Sequence, residues 1–408
     1  MQMNATTKSA MEEYGDYLFK GSIILFIAFT PIYIALTEVA FWLILVGYVV
    51  HKTGIGQSFL RTTGVGIAMI VFVAALAFTS FFSIKPLHSL AAIGAFRFFL
   101  LYIMLANYEM QEDFASHLTN LILYMAVVWS GVEIIKYFRA NALRLDIFTA
   151  HINTLVIPMV VGPLIMVEMG RIKRGIFVLF LCILLTASFL SLSRAAWLGT
   201  FAGITVLLFY WNWKILLPLG LLVIIAAFCV ALYCPQSPAG KVINSTVKPF
   251  QPGSERTGSN MERLQMLKDT VAIIKKDPFT GIGHEAYKYV STDKHIRISM
   301  DHVQALATTG LIGFAAYGWL LFTLLRRCFQ NEKAGRASTP YDPLHVLYIC
   351  FFAAFIGFLV CGSFEPNFFS SKRLRFVMLM LGLNECLFRA ASKETKESTG
   401  KRPVPPRV

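Results

Sequence analysis

Apolar residues in this chain fall into long unbroken blocks with short polar connections, and only one stretch departs from that pattern. Between charges, apolar runs lie near residues 20–36, 39–50, 64–83, 89–107, 118–137, 152–169, 175–190, 195–210, 215–233, 308–325, 345–362 and 374–390. Most approach the ~20 residues that a helix needs to cross the hydrocarbon core of a bilayer. The second run is short for a straight crossing. Because the runs are continuous rather than alternating, a β-barrel is disfavoured. The pattern predicts an all-α polytopic membrane protein with about 12 transmembrane helices. The departure is a polar stretch over 234–307, which holds no apolar run of spanning length. The expected organisation is an N-terminal bundle of about nine spans over 1–233, a long loop with amphipathic helices over 234–307, a C-terminal bundle of three spans over 308–390, and a tail over 391–408. That tail is rich in Lys, Glu, Thr and Pro and has little apolar surface to bury, so it is expected to be disordered and cytoplasmic.

Composition agrees with this pattern. With 408 residues, 56% of them hydrophobic and 15% charged, and a mean hydropathy of +0.62, the chain does not have the make-up of a soluble globular protein. The net charge of +14 would suit nucleic acid, but the positive-inside rule accounts for much of it without such a partner. With both termini cytoplasmic, the inner connections and tail carry 18 Lys and Arg against 8 in the short outer connections. Long loops are exempt from the rule. The 234–307 loop is therefore expected to face outward, which in a bacterial inner membrane means the periplasm. Glu12, Glu13 and Asp16 stand where a signal peptide would have a basic segment, so the first span is expected to stay as an anchor. The seven cysteines fall mostly within spans and form no CxxC pair.

Several residues could carry chemistry. Lys85, Lys136, Arg139 and Lys372 are basic on the outer side, either snorkelling to head groups or meeting an anionic ligand. Arg97 lies inside a span, where a charge is costly; it would serve a substrate cavity or an ion pair, with Glu133 a possible partner. Pro158 and Pro163 predict a kinked span. At the outer turn between two spans, Ser191-Leu192-Ser193-Arg194-Ala195-Ala196-Trp197 offers a guanidinium and two hydroxyls to phosphate oxygens, with Trp197 at head-group depth. Met261, Leu264, Leu267, Val271 and Ile274 recur at helical spacing in the loop, with Arg263 beside the stripe. Asp277-Pro278 ends that helix. Pro278-Phe279-Thr280-Gly281-Ile282-Gly283 reads as a tight turn, and no Lys-Ser/Thr follows to make a Walker A loop. His284-Glu285-Ala286-Tyr287-Lys288 lacks the second histidine of a zinc-protease helix, and His284, Asp293, His295 and His302 match no standard metal spacing. Asp301 is placed as the N-cap of the tenth span, with Gln304 at capping-box spacing. His302 would then sit in the first turn, where the helix dipole favours the neutral imidazole that a general base requires.

Taken in this order, Ser191-x-Ser193-Arg194-x-x-Trp197, Arg263-Leu264, Asp277–Gly283 and His302-x-x-x-Leu306 leading to Thr309-Gly310-Leu311-Ile312-Gly313 resemble the O-antigen ligase/polymerase superfamily of bacterial membrane glycosyltransferases. The layout is most similar to the O-antigen ligases. One departure is Val303, where the family often has asparagine. The resemblance implies transfer of a glycan from undecaprenyl diphosphate to the lipid A–core oligosaccharide at the periplasmic face, with no cofactor and no metal. It implies His302 as general base and Arg194 and Arg263 on the diphosphate, with membrane lipids around the bundle; Ser191, Ser193, Arg97 and Lys85 are added from their own positions as further expected substrate contacts. An O-antigen polymerase and an O-oligosaccharyltransferase are related alternatives. A lipid-linked glycan transporter is the alternative of another class; it predicts paired broken helices in internal repeats, which the sequence does not display.

Overall fold

A computed structural model describes residues 5–59, 63–140, 145–234, 240, 257–291, 298, 300–335 and 342–399. Asp293 and His295, two of the residues weighed as metal ligands, lie outside these, as do Arg61, Arg144 and Arg336 of the charge count. No strand occurs among the described residues. The helices are α1 (Ala5–Phe29), α2 (Ile34–Ile55), α3 (Gly64–Phe81), α4 (Pro86–Ala92), α5 (Phe99–Asn107), α6 (Glu112–Arg139), α7 (Ile147–Met166), α8 (Arg171–Leu190), α9 (Arg194–Asn212), α10 (Leu216–Tyr233), α11 (Thr257–Lys276), α12 (Asp301–Gly335), α13 (Pro343–Gly362) and α14 (Ser371–Thr399). Among the described residues, nine helical stretches are long and apolar enough to cross a membrane. The expected twelve is therefore reached only by adding helices that carry more charge or less described apolar length. The predicted run over 20–36 is cut by a turn, because α1 ends at Phe29 and α2 starts at Ile34. The second run is longer than its apolar core suggested. Glu38 and Lys52 lie within α2 because each has a partner, Glu38 the guanidinium of Arg97 and Lys52 the amide of Gln57 at 2.9 Å. The tail also differs: α14 continues through Thr399, since Ala, Lys and Glu have good helix propensity even without apolar surface.

Helix α7 lies in the interior, packed against α8, α9 and α13. It runs through Pro158 and Pro163, and Pro158 fits against Gly203 of α9, where a side chain would come within 3.0 Å of the ring. Pro158 thus serves packing. Thr154 of α7 donates to the Ala196 carbonyl of α9 at 3.2 Å, and Gly199 of α9 lies against the Gly357 carbonyl of α13. At the opposite end from the long loop, Arg327 of α12 makes two hydrogen bonds of 2.6 Å to Glu385 of α14, and Arg389 adds a third at 3.0 Å.

Helix α12 is two helices in line. Gly310 has φ 60° and ψ −165°, outside helical geometry and in a region that only glycine occupies readily. The break frees backbone groups, and the predicted tight turn fills them. Ile282 N–H donates to the Ala307 carbonyl at 3.1 Å and Gly283 N–H to the Thr308 carbonyl at 2.8 Å. In return, Leu311 N–H donates to the Pro278 carbonyl at 2.8 Å and Ile312 N–H to that of Phe279 at 3.3 Å. Gly281 and Gly283 have φ 63° and 99°, and a methyl on Gly281 would fall 2.7 Å from the Ala307 oxygen. Ser83, just after α3, donates to the Ile282 carbonyl at 2.8 Å and so ties the turn to the N-terminal bundle.

Gly310→Ala should destabilise the protein by about 1–3 kcal/mol, the cost of a non-glycine residue in this backbone region, before counting the collision with the Phe279 carbonyl. Gly318→Ala, at a position with open space, is the control. Thermal unfolding in detergent should show a lower midpoint for the first and not for the second.

Candidate functional site

The loop end of the bundle gathers charge around the link between α13 and α14, residues 363–370. Glu365 lies there, partly buried, facing three nitrogens from three elements. Its carboxylate is 3.5 Å from the Arg263 guanidinium of α11, 3.8 Å from Arg373 at the start of α14, and 3.9 Å from His151 Nε2 in the first turns of α7. The other ring nitrogen of His151 faces the Cys361 thiol at 3.1 Å. Arg373 is braced from behind, donating to the Pro366 carbonyl at 2.9 Å and to Asn367 Oδ1 at 3.1 Å. Burial pushes the Arg373 guanidinium below its ordinary pKa, against the upward pull of Glu365.

His302 stands beside this cluster. Its Nε2 is 3.3 Å from Ser363 Oγ, two residues before Glu365, and its ring lies 5.8 Å from that of Tyr317. Ser363 Oγ is also 3.3 Å from the Leu359 carbonyl. A hydroxyl has one proton to give. When that proton goes to the carbonyl, Nε2–H donates to Oγ and the imidazole lone pair is on Nδ1. The position in the first turn of α12 opposes a positive charge on the ring.

The residue before it corrects an expectation. Asp301 does not cap its own helix: its carboxylate accepts from Phe368 N–H at 2.8 Å and Phe369 N–H at 3.4 Å. A buried carboxylate does better with two amides that have no other acceptor than with one at an already paired helix start. Asp301 therefore holds the 363–370 link against α12, which keeps Ser363 and Glu365 next to His302. Gln304 N–H instead meets the Met300 carbonyl at 2.8 Å.

The Ser191–Trp197 segment is a built turn. Ser191 Oγ donates to the Ser188 carbonyl at 2.7 Å, and Ser193 Oγ caps α9 by accepting from Ala196 N–H at 3.3 Å. Both hydroxyls bond to backbone, Ser191 as donor and Ser193 as acceptor. Trp197 is pinned rather than set at a free interface: its indole N–H donates to the Ser188 carbonyl at 2.9 Å and its ring stacks on Phe189. What the turn projects is Arg194, at the first position of α9. Ala196, two residues on, contacts Thr154, one turn from His151, so Arg194 belongs to the same end of the bundle.

Two further expected substrate contacts have partners within the chain. Arg97 pairs with Glu38, not Glu133, at 2.6 and 3.1 Å, and also donates to the Gly94 carbonyl at 2.6 Å. Glu133 is taken by Lys136 at 2.7 Å. Lys85 is the N-cap of α4, its carbonyl accepting from Ser89 N–H at 3.0 Å and its own N–H meeting Ser83 Oγ at 3.1 Å, while its ammonium lies 5.9 Å over Tyr289. His284 is buried between the rings of Phe96 and Phe369. Glu365, Arg373, His151 and Ser363 were not singled out as site residues from sequence. The signal present was slight: Glu365 is the one acid in 363–373, a stretch that also holds Lys372 and Arg373.

Against known proteins, residues 177–318 match the family model described as O-Antigen ligase. No curated protein matches the chain. The matched stretch contains Arg194, Arg263 and His302 and ends before Glu365 and Arg373.

Asp301→Ala should leave two buried amides unsatisfied, at about 1–3 kcal/mol for each lost partner. Hydrogen exchange should quicken at the Phe368 and Phe369 amides while the Arg327–Glu385 end stays protected. For Arg97, a double-mutant cycle with Glu38 separates an ion pair from a ligand contact. Arg97→Ala and Glu38→Ala should each lower stability, and the double variant should be no worse than the more damaging single one.

Proposed function

We propose that this chain, whose residues 177–318 carry an O-antigen ligase domain, transfers a glycan from a polyprenyl diphosphate, undecaprenyl diphosphate, to the lipid A–core oligosaccharide on the outer side of the inner membrane. Membrane helices and family are consistent with an envelope glycosyltransferase, and the observation that carries the finer reading is the convergence at the loop end. There a neutral-favouring imidazole, His302, lies two residues' reach from a carboxylate that faces Arg263 and Arg373. An acceptor hydroxyl attacking the anomeric carbon gives its proton to His302. The bond from that carbon to the diphosphate oxygen breaks, and the electron pair leaves with the diphosphate. Arginine forks suit that leaving group because they meet phosphate oxygens in pairs and remain charged throughout. A single displacement from the far face inverts the anomeric centre.

His302→Ala should abolish transfer while the lipid-linked donor still binds. Loss of Arg194 or Arg263 should raise the barrier by about 2–4 kcal/mol, as for a lost oxyanion donor. The measurement uses purified protein with lipid-linked glycan and lipid A–core. Glycan on lipid A–core supports the ligase, longer lipid-linked chains point to a polymerase, and full activity of His302→Ala removes the assigned base.

A further inference from the structure

Two arginine–carboxylate pairs elsewhere in this protein close tightly. Arg97 reaches Glu38, and Arg327 reaches Glu385, at 2.6 Å. Glu365 has more candidate partners than either acid, yet none comes nearer than the 3.5 Å of Arg263, with Arg373 at 3.8 Å and His151 at 3.9 Å. One carboxylate spread over three nitrogens from three elements is smaller than the space those nitrogens surround. Among the described residues it is also the one carboxylate within 4 Å of either guanidinium, so two guanidiniums face one monoanion. Two further carboxylates act on Arg373 from farther off and both are engaged, Asp301 by the amides of Phe368 and Phe369 and Asp146 by that of Phe148. Arg373 cannot move to close the gap, since one of its terminal nitrogens is held by Pro366 and Asn367 while the other is turned to Glu365. Its side chain is 13% exposed, so water does little to compensate its charge. A diphosphate has a wider spread of oxygens and more than one negative charge, and answers both deficits.

We propose that Arg373 is a third cation of the donor-diphosphate site and that Glu365 is a stand-in anion, holding Arg263 and Arg373 in place until the diphosphate displaces it. This rests on the transferase reading above. Glu365 is then a positioning residue that competes with the donor, so its removal acts in the direction opposite to ordinary damage. A site partly closed by an internal ligand shows an affinity lowered by the open fraction, and neutralising that ligand restores it.

The test uses the full chain in detergent and calorimetric titration with farnesyl diphosphate and farnesyl monophosphate. The unaltered protein should prefer the diphosphate. Glu365→Gln should bind it about threefold or more tightly, with the unfolding midpoint retained. Arg373→Ala should weaken diphosphate binding about tenfold and narrow its preference over monophosphate. Arg373→Lys, which keeps the charge but loses the fork, covers the case in which the alanine variant does not fold, and should bind less tightly than the unaltered chain. Unchanged or weaker binding by a folded Glu365→Gln overturns the stand-in role, and an unchanged preference in the Arg373 variants overturns the third cation. If the unaltered chain binds no farnesyl diphosphate, the transferase reading fails together with this one. If it binds and His302→Ala stops transfer while the Glu365 and Arg373 variants behave as unaltered, only this inference fails.

Discussion

The break in α12 at Gly310 is the constraint on which the rest of the site depends. A helix interrupted in the protein interior exposes amides and carbonyls where unsatisfied groups are expensive. Here four hydrogen bonds from residues 278–283 take them up, two given and two received. The turn that does so is itself tied to the segment after α3 through Ser83. One small loop thus joins the N-terminal bundle, the amphipathic helix that carries Arg263, and the short helical segment that carries His302. Together with the Asp301 contacts to Phe368 and Phe369, it fixes the angle at which Asp301–Thr309 meets the bundle.

From that fixed segment the remaining order follows by charge. Asp301 reaches across to two amides of the link between α13 and α14, and this brings Ser363 to His302 and Glu365 to the arginines. The same residue type does different work at the two ends of the bundle. Glu385 is closed tightly by two arginines and holds helices together. Glu365 is loosely shared among Arg263, Arg373 and His151, the last two of which have other partners, and it leaves the loop end electrostatically incomplete.

Much of the scaffold was legible in the sequence. Apolar runs locate α3, α6, α7, α8, α9, α10 and α13, because each is uniform over its length. The Met261–Ile274 stripe predicts α11, and the glycines of 278–283 predict the turn. What the turn is for was not legible, because its partner is a break in a helix that looks continuous by composition. The site was legible in part. Arg194, Arg263 and His302 lie at one end, whereas Ser191 and Ser193 serve the backbone and Arg97 is matched to Glu38. That match joins residues 59 apart, and Asp301 meets Phe368 across 67; no local spacing announces either. Glu365 and Arg373 escaped notice for the same reason, as a lone acid and one more basic residue at a helix start.

The reciprocal bonding between 278–283 and the start of α12 also governs how this protein can be recombined. The loop and the first turns of that helix form a lock and its keeper, shaped together by three glycines in left-handed conformations. A chimera joined between Gly283 and Asp301 would pair each half with a stranger. A junction ahead of Thr257, with the downstream partner taken through Gly313, moves the whole latch as one piece.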